Sequence, residues 1–218
     1  MRSAAAGMAI LAASGWLGTA CVDPKTDYDD WLIRTTYMRN QTGPEQDASY
    51  EAALPDGGFT QLYYMACVSQ LNSGSIMTPT LFVATATFTP SESGGGSFDF
   101  TDTLLQASAM SLTQTVAAPV METNVPVSAD GVAIINYGPT TIAAAGNPLM
   151  TGEVDFSSLT LTFQIGPGDD LCANATGAYS MPISEPINVP GQNVCIFAPV
   201  ASMTSPLPMF TQSQVHCP

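Results

Sequence analysis

Basic side chains are what this chain most lacks. Four lysines and arginines stand against 18 acidic residues, for a formal net charge of −14. All four (Arg2, Lys25, Arg34 and Arg39) precede residue 40, so the remainder carries no permanent cation. Nucleic-acid binding depends on Lys and Arg neutralising phosphates, so that partner class is excluded. Anionic lipid surfaces are equally poor partners for the polypeptide itself. Histidine is reduced to His216, beside Cys217 near the end of the chain. A Ser-His-Asp triad or a histidine-bearing metal site would have to be built on that one ring. With Lys25 the only lysine, lysine nucleophiles and bases are missing from everything downstream. Charged residues total 10%, against roughly 25% in an average soluble protein. Thr, Ser, Ala, Gly, Gln and Asn take their place. This composition removes most acid–base chemistry, and the reading is of a protein that is not an enzyme.

Long apolar runs are also missing. The longest, residues 4–17, is interrupted by Gly7 and Gly15 and preceded by the single charge of Arg2. It falls short of the roughly 20 apolar residues a spanning helix needs and has the proportions of a signal-peptide core. It ends in Leu17-Gly18-Thr19-Ala20-Cys21, after which Asp23, Pro24 and Lys25 stop the apolar pattern. A leucine, small residues and then a cysteine resemble the lipobox of bacterial lipoproteins. Here Leu17 stands one place earlier than usual, with Gly18 third before the cysteine. The resemblance implies a signal peptide over 1–20 and a lipidated Cys21 bearing a diacylglycerol thioether and an acylated amine, with palmitate-type chains. Two or more such chains hold a protein stably on a membrane. It implies no cofactor. Val22 is not the aspartate that marks inner-membrane retention. The resemblance therefore points to the cell envelope, as an outer-membrane lipoprotein facing the periplasm or the cell surface.

Beyond Cys21, residues 22–30 read as a solvated tether. Asp29 and Asp30 favour a helix N-terminus. Tyr28, Trp31, Leu32, Thr35 and Met38 recur near helical spacing, which predicts one short helix ending about Arg39. Residues 40–58 are polar and turn-rich. From Phe59 the apolar period shortens to two, and a β-domain is expected over 59–218, after a tether, helix and loop over 21–58. Strands are expected over 59–70, 80–89, about 98–101, 132–137, 141–145, 158–165, 173–181 and 194–200. Residues 91–96 form a loop between the second and third. Residues 105–126 show no clear period. Leu159, Leu161, Phe163 and Ile165 alternate with Ser158, Thr160, Thr162 and Gln164 more cleanly than any other stretch. About eight short antiparallel strands, Thr-rich on one face and apolar on the other, argue for an all-β sandwich or a closed meander barrel. The layout of Asp-Tyr-Asp-Asp-Trp at 27–31, Thr-rich strands and Cys-Ala-Asn-Ala-Thr-Gly at 172–177 resembles uncharacterised envelope lipoproteins of myxobacterial type. It implies no particular activity.

Cys67, Cys172, Cys195 and Cys217 remain after Cys21. An even set in an exported chain predicts two disulfides, with three possible connectivities. If Pro190-Gly191 is a hairpin turn, Cys195 lies opposite a residue near Pro186, which disfavours Cys172–Cys195. Cys67 and Cys195 fall inside expected strands, while Cys172 and Cys217 fall at a strand entry and the chain end. Pairing like with like yields Cys67–Cys195 and Cys172–Cys217. A four-thiolate zinc site lacks the close CxxC pairs it needs, and no metal is expected.

Few candidates for chemistry remain. Gly94-Gly95-Gly96 opens no helix and is not a phosphate loop. Asp99 with Asp102, or Glu153 with Asp155, offer paired carboxylates of the kind used in glycoside hydrolysis. Solvated strand edges explain both more simply. Asp169-Asp170 and the cluster of Asp27, Asp29 and Asp30 could supply oxygens for calcium, but no EF-hand loop is present. Two functional classes follow. One is a structural or interaction module meeting an envelope protein or glycan. The other is a lipocalin-like carrier of a small apolar ligand, with Phe82, Phe88, Phe98, Phe100 and Phe163 lining a cavity. Whether those rings meet each other or enclose space discriminates between the two.

Overall fold

A computed structural model describes residues 54–217, apart from positions 56, 150, 151 and 169. Nine strands run in this span: β1 (Phe59–Cys67), β2 (Thr80–Pro90), β3 (Gly96–Leu104), β4 (Val120–Val127), β5 (Val132–Ile142), β6 (Val154–Ile165), β7 (Leu171–Met181), β8 (Glu185–Ile187) and β9 (Val194–Val200). The order β6-β5-β4-β3-β2-β1-β9-β7-β8, with a further β6–β7 pairing, closes eight antiparallel strands into a barrel. β8 lies outside the ring, paired only to β7. The fold is all-β, and the sandwich alternative gives way to the barrel. The expected helix ending about Arg39 lies outside the described residues, as does Cys21.

Several boundaries differ from the sequence reading, each for a local reason. The featureless 105–126 stretch contains β4, whose regular alternation is broken by a bulge. Phe98 faces Val125 and Phe100 faces Glu122, so Thr123 and Asn124 together oppose Asp99. Asn124 takes φ 55°, the left-handed region asparagine tolerates. Its backbone N–H donates to Asp99 Oδ1 at 2.7 Å. The strand expected at 132–137 is β5, which runs on through Gly138-Pro139 by register shifts against β6 to Ile142. The second strand expected at 141–145 is only its end, since Ala144–Gly146 form a 3-10 turn. Pro190-Gly191 does not join β8 to β9 as a hairpin. β9 instead pairs with β1 and β7, setting Cys195 opposite Ala173 and Cys172 opposite Ile196.

The two ends of the barrel differ. At the lower end β2–β3, β4–β5 and β6–β7 are joined by short turns over 91–95, 128–131 and 166–170. At the upper end the connections are longer, over 68–79, 105–119, 143–153 and 182–193. Large and small inward residues alternate around the ring, as a small barrel's interior requires. Phe163 is flanked by Ala133 and Ala173, and Phe100 by Ala86. The space those alanines leave is filled by rings. Phe98, Phe100, Phe163 and Phe197 contact one another at centroid distances of 4.8–6.1 Å. Each fully buried ring or branched side chain stabilises the fold by roughly 1.5–3 kcal/mol.

A second apolar cluster lies outside the ring. The outward residues Tyr64, Ala66, Leu81, Val83 and Ile196 are buried beneath Leu105 and Leu112 of the β3–β4 connection. Leu207, Phe210, Val215 and Cys217 of the C-terminal segment pack on the same cluster. Tyr64 and Phe210 stack at 5.4 Å. Gln212 donates to the Gly74 carbonyl and accepts from the Ile76 N–H, each at 3.0 Å. The chain end is thereby strapped to the barrel wall.

Candidate functional site

The upper end holds the candidate site because the barrel wall opens there. β4 and β5 share one ladder position, Val127 with Ala133 next to their turn, and diverge beyond it. The opening is bridged from inside. Tyr137 falls at a register shift on β5 and reaches past β4 to β3, where its Oη donates to Asp102 Oδ2 at 2.8 Å. Asp102 is only 7% exposed. Burial raises its carboxyl from the ordinary 3.8 to about 6, while the Tyr137 hydrogen bond pulls the other way. The Tyr137 phenol is pushed up by burial first. The Asp102 charge, the hydrogen bond to Asp102 and the Glu122 charge then add to the rise.

A pocket of about 80 Å³ fills the opening. Asp102, Leu104, Tyr137 and Leu159 line its interior, with Ala117, Ala118 and Val120 on one lip and Thr140 and Thr141 on the other. A neighbouring pocket, also about 80 Å³, lies beneath the Cys67–Cys195 disulfide and shares Phe82, Ile142 and Leu159 as walls. Near it Tyr179 Oη and Ser69 Oγ are hydrogen-bonded at 2.7 Å. Burial raises the Tyr179 phenol, opposed by the Ser69 bond and reinforced by Glu185.

The structure joins the cysteines as the sequence grouped them and separates the carboxylates it grouped. Two disulfides are present, Cys67–Cys195 and Cys172–Cys217. The first joins directly opposed residues of β1 and β9 with Cα atoms 4.0 Å apart. Cys195 and Cys172 sit on adjacent strands one register step apart, so they point to opposite faces of the wall. That parity keeps them apart, rather than the hairpin expected from Pro190-Gly191. The second disulfide fastens the C-terminal strap to β7. Asp99 and Asp102 are likewise on opposite faces, Asp99 exposed and Asp102 buried, so they are not a catalytic pair. Asp155 accepts from Thr141 Oγ1 at 2.7 Å on the wall, and Glu153 is exposed. His216 is exposed, with Nδ1 3.1 Å from the Ser213 carbonyl oxygen. Asp170 is exposed, whereas Asp27, Asp29, Asp30 and Asp169 lie outside the described residues. Among the described residues no group of three or more His, Cys, Asp or Glu could hold a metal ion.

Of the five phenylalanines expected to line one cavity, only Phe82 borders the two upper pockets. Phe98, Phe100 and Phe163 pack on each other, and Phe88 packs against Phe59 at 6.1 Å. The sequence reading missed the pairing of Asp102 with Tyr137. Strand parity carries the signal, since Asp102 continues the inward series Phe98, Phe100 by steps of two.

Fold and site together define a closed, disulfide-braced antiparallel barrel with an acid–phenol pair in an opening of its wall. No family model matches the chain, and no curated protein or solved structure matches it.

Proposed function

We propose that this chain is a lipid-anchored cell-envelope protein whose barrel acts as a structural or interaction module. The filled interior carries the reading. With Phe98, Phe100, Phe163 and Phe197 in mutual contact, the lower barrel has no room for a guest, which shifts recognition to the outer surface. That surface offers a braced contact region. Met77, Met110 and Met209 are 84%, 86% and 92% exposed. Each adjoins a residue (Ile76, Ala109 or Phe210) packed on the outer apolar cluster. Exposed methionines on an anchored framework suit contact with a protein partner. The anchor rests on Leu17 to Cys21, and two disulfides accord with an oxidising compartment. The second reading, a lipocalin-like carrier, is favoured by the two upper pockets. At about 80 Å³ each they fall below the roughly 300–1,000 Å³ of drug-sized ligand sites.

The anchor is tested by the intact mass of protein purified from membranes of a lipoprotein-processing host, beside Cys21→Ala. The expected mass is residues 21–218 plus acyl chains, lost in the variant. A cleaved chain without lipid, or an uncleaved one, sinks the anchor. The module is tested by photocrosslinking on cells from positions 110 and 209, with 134 on β5 as control. A discrete adduct at 110 and 209 but not at 134 is expected. Crosslinks equal at all three positions, or absent from all, overturn the interaction reading.

A further inference from the structure

The buried carboxylate in the β4–β5 opening has no role in bracing the barrel that an uncharged side chain could not fill. It sits at an entrance, not in the plugged half. Register places Glu122 on the same interior-facing side as Asp102, since Glu122 opposes Phe100 and Val120 opposes Asp102. Asp102 is the charged residue that lines the pocket. Glu122 stands outside the lining, and both carboxylates disfavour ionisation of the Tyr137 phenol. No lysine or arginine exists anywhere after residue 39 to neutralise them. The other walls are apolar or hydroxyl-bearing, with Phe82, Leu104 and Leu159 behind the acid and Thr140 at the lip.

We infer that this opening is a binding site for a small organic ammonium ion with an apolar body, its nitrogen held by Asp102 and its body against Phe82, Leu104 and Leu159. A buried carboxylate with no lysine or arginine among the described residues is stabilised most by a ligand that supplies a cation. A charge-assisted N–H···O bond is roughly twice as strong as a neutral one. A hydrated divalent metal fits less well, because one carboxylate and a few hydroxyls among apolar walls do not supply the six to eight oxygens calcium takes. The site depends neither on acylation of Cys21 nor on the outer methionines.

The test is isothermal titration of the full chain at pH 7.5 with benzylamine and with isosteric benzyl alcohol. Benzylamine is expected to bind about ten-fold or more tightly than the alcohol. Asp102→Asn should lose about ten-fold or more of that affinity. Ala118→Trp, an exposed lip substitution that fills the mouth without touching the core, should lose a comparable amount. Glu92→Gln, which removes one charge in the exposed 91–95 loop, should change nothing. Calcium should not compete with benzylamine. The inference is overturned if amine and alcohol bind alike, or if neither binds at millimolar concentration. It is equally overturned if Glu92→Gln loses as much as Asp102→Asn, or if calcium displaces the amine. Should Asp102→Asn fail to fold, unchanged affinity in Ala118→Trp overturns it alone.

Discussion

Asp102 carries an energetic cost that can be measured. The folded protein holds the Asp102 proton up to about pH 6, whereas the ordinary value is 3.8. Across that window the folded state binds more protons than the unfolded one. Stability should therefore fall as pH rises from about 4 to about 6 and stay at the lower level above it. A shift of this size corresponds to up to about 3 kcal/mol. Asp102→Asn retains an acceptor for Tyr137 but has no charge to bury. Urea denaturation should find it more stable than the parent at pH 7.5 and equal to it near pH 4. A variant less stable at pH 7.5 would show that the ionised carboxylate is not penalised. Asp99, three residues earlier and on the opposite face, does structural work. Its carboxylate pins the Asn124 bulge at 2.7 Å, so Asp99→Ala should cost about 1 kcal/mol in the same assay.

At the scale of elements, β6 and β7 approach so closely that one position admits only glycine. A Cβ on Gly177 would lie 2.1 Å from the Ser158 carbonyl oxygen, at a φ of +138° that other residues rarely adopt. Gly177→Ala should destabilise by about 2–4 kcal/mol, read as a lowered denaturation midpoint. The C-terminal strap is a separate element with its own fastening. Replacing Cys172 and Cys217 together with serine removes a cross-link spanning 45 residues, worth up to about 4 kcal/mol by chain-entropy arithmetic. The barrel ring does not contain the strap, so circular dichroism should keep its β signature. Limited proteolysis should now cut within 201–216. Cleavage inside β1–β9 at the same rate would show that strap and barrel unfold as one.

The whole molecule is electrostatically one-sided. Its net charge is −14 and no lysine or arginine lies in residues 54–217. Among the described residues added salt therefore has only repulsion to screen between exposed carboxylates, with no Lys or Arg ion pairs to weaken. The melting temperature should rise by about 2–5 °C between 0.01 and 0.5 M NaCl. A fall would point to attractive pairs involving the chain before residue 54. Closure of the ring gives each barrel strand two neighbours, so the sheet leaves few free edges. The main gap is at β4 and β5, the place where the acid–phenol pair sits.

Alternation in the chain was enough to establish the β class, most strand positions and the inward identity of Phe98, Phe100, Leu161 and Phe163. That information is local, because side chains of a strand change face with every residue. Composition likewise argued, without any fold, against nucleic-acid binding and against lysine chemistry beyond Lys25, and left histidine chemistry to His216 alone. Where a bulge interrupts the period, as at Asn124 and Tyr137, the local signal failed. β4 was missed and β5 was divided in two. Partner choice lay further out of reach. The pairing of β9 with both β1 and β7, the meeting of Asp102 with Tyr137, and the covering of Tyr64 and Ile196 by the chain end all join residues distant in sequence. Such contacts depend on how the sheet twists, bulges and closes on itself, which is a property of the assembled barrel and not of any segment within it.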